Sequence, residues 1–106
     1  MNAYTAKQIQ ASAHPDIKKL FWNLFGATRG ASNRIKIMSF LKRRPSNPNQ
    51  VSKHIGVDYK GVIFHLKILE ENNLVEKFGN RGATTFFVSP LFEENEKVFD
   101  EIIVKA

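Results

Sequence analysis

Two helix signals stand almost back to back in the middle of this chain, and their spacing constrains the fold more than any other feature. Asn47-Pro48-Asn49-Gln50 reads as an N-cap, a proline at the first helical position and a glutamine at the third. Val51 and Ile55 give the short helix its apolar side before Gly56 takes the terminating position. Val57 follows, and Asp58 is placed to cap a second helix from Tyr59 to Asn72. Two helices joined by a few residues around a glycine are the local signature of a helix-turn-helix.

The flanking segments extend the pattern on both sides. Upstream, Ser32 is the expected cap of a helix through Arg43, and Pro45 ends it. Its apolar residues Ile35, Ile37, Met38, Phe40 and Leu41 form a broad face, which implies burial on more than one side. An earlier helix opens at His14-Pro15-Asp16 and carries Ile17, Leu20, Phe21, Leu24 and Phe25 on one stripe, with Gly26 expected to stop it. Residues 1–13 lack such periodicity and are expected to be frayed or a short helix. Downstream, Leu74–Phe78 and Thr84–Val88 read as strands, with Gly79-Asn80-Arg81-Gly82 as the turn between them. Ser89-Pro90 then starts a last helix, Leu91 to Val104. The expected fold class is mainly α with a β-hairpin, one domain over 1–106: a helix at 14–26, a core at 28–89 and a helix at 90–105.

Composition narrows the function. The chain has no cysteine, which excludes disulfides, thiolate metal sites and cysteine nucleophiles. It lacks the run of roughly 18 apolar residues that a membrane helix needs, and its first residues lack the apolar stretch of a signal peptide. A cytoplasmic protein without a membrane partner is the expectation. The net charge is +6. It is unevenly spread: residues 28–90 hold eleven basic and four acidic side chains, a net +7, whereas 91–106 carry a net −3. A positive middle favours an anionic partner, with nucleic acid the commonest. His14, His54 and His65 have no metal-ligand spacing, and no glycine-rich phosphate loop occurs. The sequence therefore predicts neither an enzyme nor a bound cofactor or metal, and His65 reads as a packed or hydrogen-bonded side chain.

The order of elements, three helices and then a hairpin, is that of the winged helix. The stretch from about residue 29 to 89 resembles the winged helix-turn-helix DNA-binding family of ArsR-like prokaryotic transcriptional regulators. Arg34-Ile35-Lys36-Ile37-Met38-Ser39-Phe40-Leu41, Gln50-Val51-Ser52-Lys53-His54-Ile55-Gly56-Val57, Val62-Ile63-Phe64-His65-Leu66-Lys67-Ile68-Leu69-Glu70 and Asn72-Asn73-Leu74-Val75 carry the resemblance. It implies that helix 59–72 lies in a major groove of double-stranded DNA, and that the wing at 79–83 reaches backbone or minor groove. It also implies a homodimer whose outer helices pack across a two-fold axis. Leu20, Phe21, Leu24, Phe92, Phe99, Ile102 and Ile103 are the candidate dimer residues; the alternative is that these helices simply cap the core of a monomer.

Candidate DNA contacts follow residue by residue. Tyr59, Lys60 and Lys67 fall on the outward face of the second helix, with Gly61, Ile63 and Phe64 beside them. Arg81, bracketed by Gly79 and Gly82, is the wing candidate. Asn49 and Gln50 stand at a helix N-terminus suited to phosphate, and Arg44 and Lys53, with Arg29, Arg34 and Arg43, are further phosphate candidates. The family usually carries polar side chains where this chain has Gly61, Ile63 and Phe64, which leaves few hydrogen bonds for base edges. Two alternatives are a sequence-tolerant, chromatin-like DNA binder and a protein-interaction module that uses Ile63 and Phe64 as anchors.

Overall fold

The computed structural model describes residues 14–80 and 83–105. The expectations for residues 1–13, and for Arg81 and Gly82 at the wing tip, lie outside the described residues.

Helix α1 (Pro15–Trp22) starts at His14, whose ring Nδ1 accepts from the Asp16 amide at 3.1 Å. The helix does not stop at Gly26. It widens into one π turn, Asn23–Ala27. A Cβ at Gly26 would meet the Trp22 ring at 2.6 Å, so the glycine serves a close approach rather than a helix end. The Thr28 hydroxyl closes the turn by donating to the Asn23 carbonyl at 2.6 Å.

Helix α2 (Ala31–Arg43) begins one residue before the expected cap. Gly30, with φ of 90°, occupies the N-cap position in place of Ser32, because the connector turns through a left-handed residue that a side chain disfavours. Helix α3 (Pro48–Ile55) has both halves of the expected capping box: Asn47 Oδ1 accepts from the Gln50 amide at 2.8 Å, and Gln50 Oε1 from the Asn47 amide at 2.9 Å. Gly56 ends it at φ of 73°. Helix α4 (Tyr59–Glu71) follows, with Asp58 at the N-cap position but without a side-chain capping bond.

Strands β1 (Val75–Phe78) and β2 (Thr85–Val88) pair antiparallel, with Val75 opposite Val88 and Phe78 opposite Thr85. A one-residue bridge that no sequence period announces adds to the hairpin. Ser46 exchanges both backbone hydrogen bonds with Phe86, at 3.0 and 2.8 Å, which ties the hairpin to the connector between α2 and α3. The expected single last helix is instead two, α5 (Pro90–Glu94) and α6 (Glu96–Lys105). Asn95 separates them: it is buried, and its amide donates to the Leu91 carbonyl at 2.9 Å, a local bond that competes with continued helix.

The helices close over one core. Phe21, Phe25, Phe92 and Phe99 are fully buried and form a connected aromatic cluster, with Phe25–Phe99 at 4.9 Å and Phe92–Phe99 at 5.0 Å between ring centroids. This cluster is where most of the candidate dimer residues lie. Phe21, Leu24, Phe92, Phe99 and Ile102 are buried within the single chain, whereas Leu20 is half-buried and Ile103 exposed. A three-helix unit of this size leaves one side open, and α1, the π turn and α6 supply the apolar surface that closes it. Lys42 pins α6 down: its ammonium lies 2.8 Å from Glu96, 3.7 Å from Asp100 and 5.6 Å from the Phe99 ring centre. No described helix is long and apolar enough to cross a membrane.

Candidate nucleic-acid interface

Helix α4 divides along its length. Val62, His65, Leu66 and Leu69 are buried, so the side chains one step round the helix face outward as a ridge: Tyr59, Lys60, Ile63, Phe64 and Lys67. Phe64 is 60% exposed and Tyr59 50%, both large for aromatic residues on a small domain. Gly61 is half-buried at the start of the helix. A Cβ there would meet Asp58 Oδ1 at 2.8 Å and Val57 at 3.0 Å, so position 61 faces back into the turn between α3 and α4.

The foot of the ridge opens into a cleft of ≈ 330 Å³ where α3, α4 and the hairpin meet. Asn47, Pro48 and Asn49 line it from the start of α3, Tyr59 and Ile63 from α4, and Lys77, Thr84 and Phe86 from the hairpin. The fold thus brings Asn49, Tyr59 and Ile63 together across the turn. It also adds two polar residues that sequence reasoning missed, Lys77 and Thr84. Period-two alternation on β1 does place Lys77 on the side of Val75, but only pairing with Phe86 aims that side at α4. Lys77 also stands 3.5 Å from Glu70, an exposed pair that leaves the ammonium accessible.

The remaining candidates are dispersed. Arg44 and Lys53 are exposed outside the cleft lining, and Arg29 is exposed in the connector before α2. Gln50 is exposed, with its carbonyl oxygen committed to the capping box. Arg43 lines a separate cleft of ≈ 370 Å³ with Lys36, Phe40 and His54. Arg34 is removed from the list of phosphate contacts, because it is 4% exposed and its guanidinium is spent inside the protein. There it donates from Nε to the Leu24 carbonyl at 2.8 Å and from Nη2 to the Thr28 hydroxyl at 2.6 Å, and Nη1 lies 3.3 Å from His65 Nδ1. Burial first, and the neighbouring guanidinium second, hold His65 below the ordinary histidine value.

The ridge presents two ammonium groups, one phenol and two apolar side chains. Such a surface suits electrostatic contact with phosphates and van der Waals contact with bases, and has little with which to read a base edge by hydrogen bonding. A helix-turn-helix whose second helix is exposed along one face, followed directly by a β-hairpin packed beside it, defines the winged-helix class of proteins.

Comparison with known proteins places the segment more closely. Residues 31–77, from α2 into β1, match the family model described as bacterial regulatory protein, arsR family. The helix-turn-helix of this segment is similar to that family's, and the match covers less than half of the chain. No curated protein matches the chain by sequence. Among solved structures, a predicted DNA-binding transcriptional regulator from E. coli is similar at 17% identity and a TM-score of 0.62, over 92% of this chain and 93% of that one. The transcriptional regulator SlyA is similar at 17% identity and a TM-score of 0.59; 94% of this chain covers 66% of it, just under two thirds of its length. FabT of Streptococcus pneumoniae, solved in complex with DNA, is similar at 18% identity and a TM-score of 0.53, over 98% of this chain and 80% of that one. At these identities the likeness is one of fold.

Proposed function

We propose that this protein is a transcriptional regulator that lays α4 in the major groove of double-stranded DNA, sets its hairpin on the flanking backbone or minor groove, and works as a homodimer in the cytoplasm. The observation that carries the reading is the exposed ridge of α4, with Lys60 and Lys67 along it and the cleft of Asn49, Tyr59 and Lys77 at its foot, inside a segment of net +7. The solved FabT complex supports it, since that fold neighbour holds DNA. The dimer draws support from the apolar surface left on the outer helices: Trp22, Ile103 and Val104 are exposed, and Leu20 partly so. With few base-edge donors on the ridge, discrimination rests on thymine methyl contact and on DNA shape.

Fluorescence anisotropy with a duplex of about 30 base pairs, titrated at salt from about 50 to 200 mM, tests the reading. Binding that weakens steeply with salt supports it; no binding at the lowest salt overturns it. A second reading has one specific observation in its favour. Ile63 and Phe64 together form an apolar patch on the ridge, which is a better anchor for a protein partner than for bases. Loss of a pulled-down protein partner on I63S and F64S, with DNA affinity unchanged, would favour it.

A further inference from the structure

The buried Arg34 guanidinium joins two parts of the molecule that the helix-turn-helix alone does not connect. One side of it binds the C-terminal end of the α1 segment: Nε donates to the Leu24 carbonyl in the π turn at 2.8 Å, and Nη2 to the Thr28 hydroxyl at 2.6 Å and the Arg29 carbonyl at 3.4 Å. The other side reaches α4, where Nη1 stands 3.3 Å from His65 Nδ1. A π turn leaves carbonyls out of the regular helical ladder, and here a side chain from α2 takes one of them up. No carboxylate pairs with this buried cation among the described residues.

Gly30 makes room for the arrangement. Its φ is 90°, and a Cβ on it would meet His65 Cε1 at 2.8 Å and Arg34 Nη1 at 3.0 Å. Next to His65 on α4 is Phe64, its ring edge-to-face with the imidazole at 5.3 Å and itself 60% exposed on the ridge. The π turn with its connector, the start of α2 and the middle of α4 therefore converge behind the recognition ridge.

We infer that Arg34 and His65 form a positioning pair that couples the α1 segment to the recognition helix, setting α4 for DNA while the imidazole is neutral and releasing it when the imidazole is protonated. The chemistry is one-directional. A guanidinium only donates, so His65 Nδ1 must accept, which fixes the neutral tautomer with hydrogen on Nε2. A proton on Nδ1 removes the acceptor and sets two cations against each other at a buried site. The charged group facing His65 is Arg34 from α2; the connector before α2 contributes the Thr28 hydroxyl and the Arg29 carbonyl to the same guanidinium, and α4 itself contributes Phe64. The pair depends on the DNA-binding reading for its function but not for its existence, so the two are separable by experiment.

The test compares the full chain with H65N, whose Oδ1 accepts near the Nδ1 position and cannot titrate. Duplex affinity is followed by anisotropy from about pH 7.5 down to about pH 4.5, a range that extends below the ordinary histidine transition because His65 is held under it. The expected result is similar affinity of the two proteins at the upper end and a severalfold loss in wild type, relative to H65N, at the lower end. Parallel pH profiles overturn the inference. Nitrogen-15 NMR of the wild-type imidazole decides independently of any variant. An Nε2–H tautomer, with α4 amides exchanging faster below the His65 transition, supports the pair; an Nδ1–H tautomer overturns it, also where H65N fails to fold. If wild type binds no duplex at the upper pH and low salt, the DNA-binding reading is refuted and the role assigned to the pair falls with it. The NMR result then still decides whether the contact exists.

Discussion

Replacing Phe99 with alanine distinguishes a core residue from an interface residue. The ring is fully buried within one chain, packs edge-to-face against Phe25 and Phe92, and lies under the Lys42 ammonium. Truncating a core phenylalanine costs about 3–5 kcal/mol, and two lost aromatic pairs, each worth about 0.5–1.5 kcal/mol, favour the upper part of that range. The expected loss is therefore about 4 kcal/mol. A chain of 106 residues melts with an entropy near 0.2 kcal/mol per kelvin at about 2.1 cal/mol/K per residue, so Tm should fall by roughly 15–20 °C. Against a typical total of about 5–15 kcal/mol, that leaves a folded but fragile protein. Thermal denaturation followed by circular dichroism, at two protein concentrations about tenfold apart, gives the answer. The drop in Tm should be of similar size at both. A loss under about 1 kcal/mol, or one visible only as weaker self-association with monomer stability intact, refutes the placement of Phe99 in the chain's own core.

Four other outcomes are expected. Lys60→Ala and Lys67→Ala should each weaken duplex binding across sequences and lower the salt slope by about one, read from anisotropy at several salt concentrations; an unchanged slope in both removes α4 from the backbone contacts. Asn47→Ala breaks the capping box at the start of α3 and should cost about 1 kcal/mol in urea denaturation. His65 is held below its ordinary value of 6.5, so the folded state takes up its proton less readily than the unfolded state. Its contribution is complete above that value and is lost as pH falls through the folded value; a urea midpoint that drops on acidification, with a flatter profile in H65N, is the expected sign. Lys42 is held above its ordinary 10.5 chiefly by its hydrogen bond to Glu96, so its contribution is complete at neutral pH and is lost only as pH rises through the folded value. Because Glu96 is 42% exposed, Lys42→Met should cost less than about 1 kcal/mol at neutral pH, with the two proteins converging in alkaline urea titrations.

Local chemistry was readable wherever neighbours in sequence are also neighbours in space. The capping box at Asn47 and Gln50, the left-handed Gly56 and the two strands rest on interactions that span a few residues, and all are present in the structure. The inward and outward faces of α4 followed from helical period as well, and the direction of Gly61 depends on where Val57 and Asp58 turn. The winged-helix fold itself was legible for the same reason, since it is announced by the order of locally encoded elements.

What tertiary structure decided was the use made of each apolar or charged side chain. Period shows that Phe21 and Phe99 belong to buried stripes, but not whether a second chain or their own chain covers them; the packing of α1 against α6 answers that. A basic residue in sequence looks equally suited to phosphate wherever it stands. Arg34 became an internal brace because the π turn, itself invisible to periodicity, offers the Leu24 carbonyl to it while α4 offers His65. Lys77 joined the candidate interface because Ser46 pairs with Phe86 and fixes the hairpin beside the start of α3, where the cleft also meets α4. Each of these depends on contacts between residues distant in the chain, whose energies no short window of sequence contains. Capping, turn and period are short-range, so neighbouring residues were enough to specify the elements and their order; burial and partnership waited for the fold.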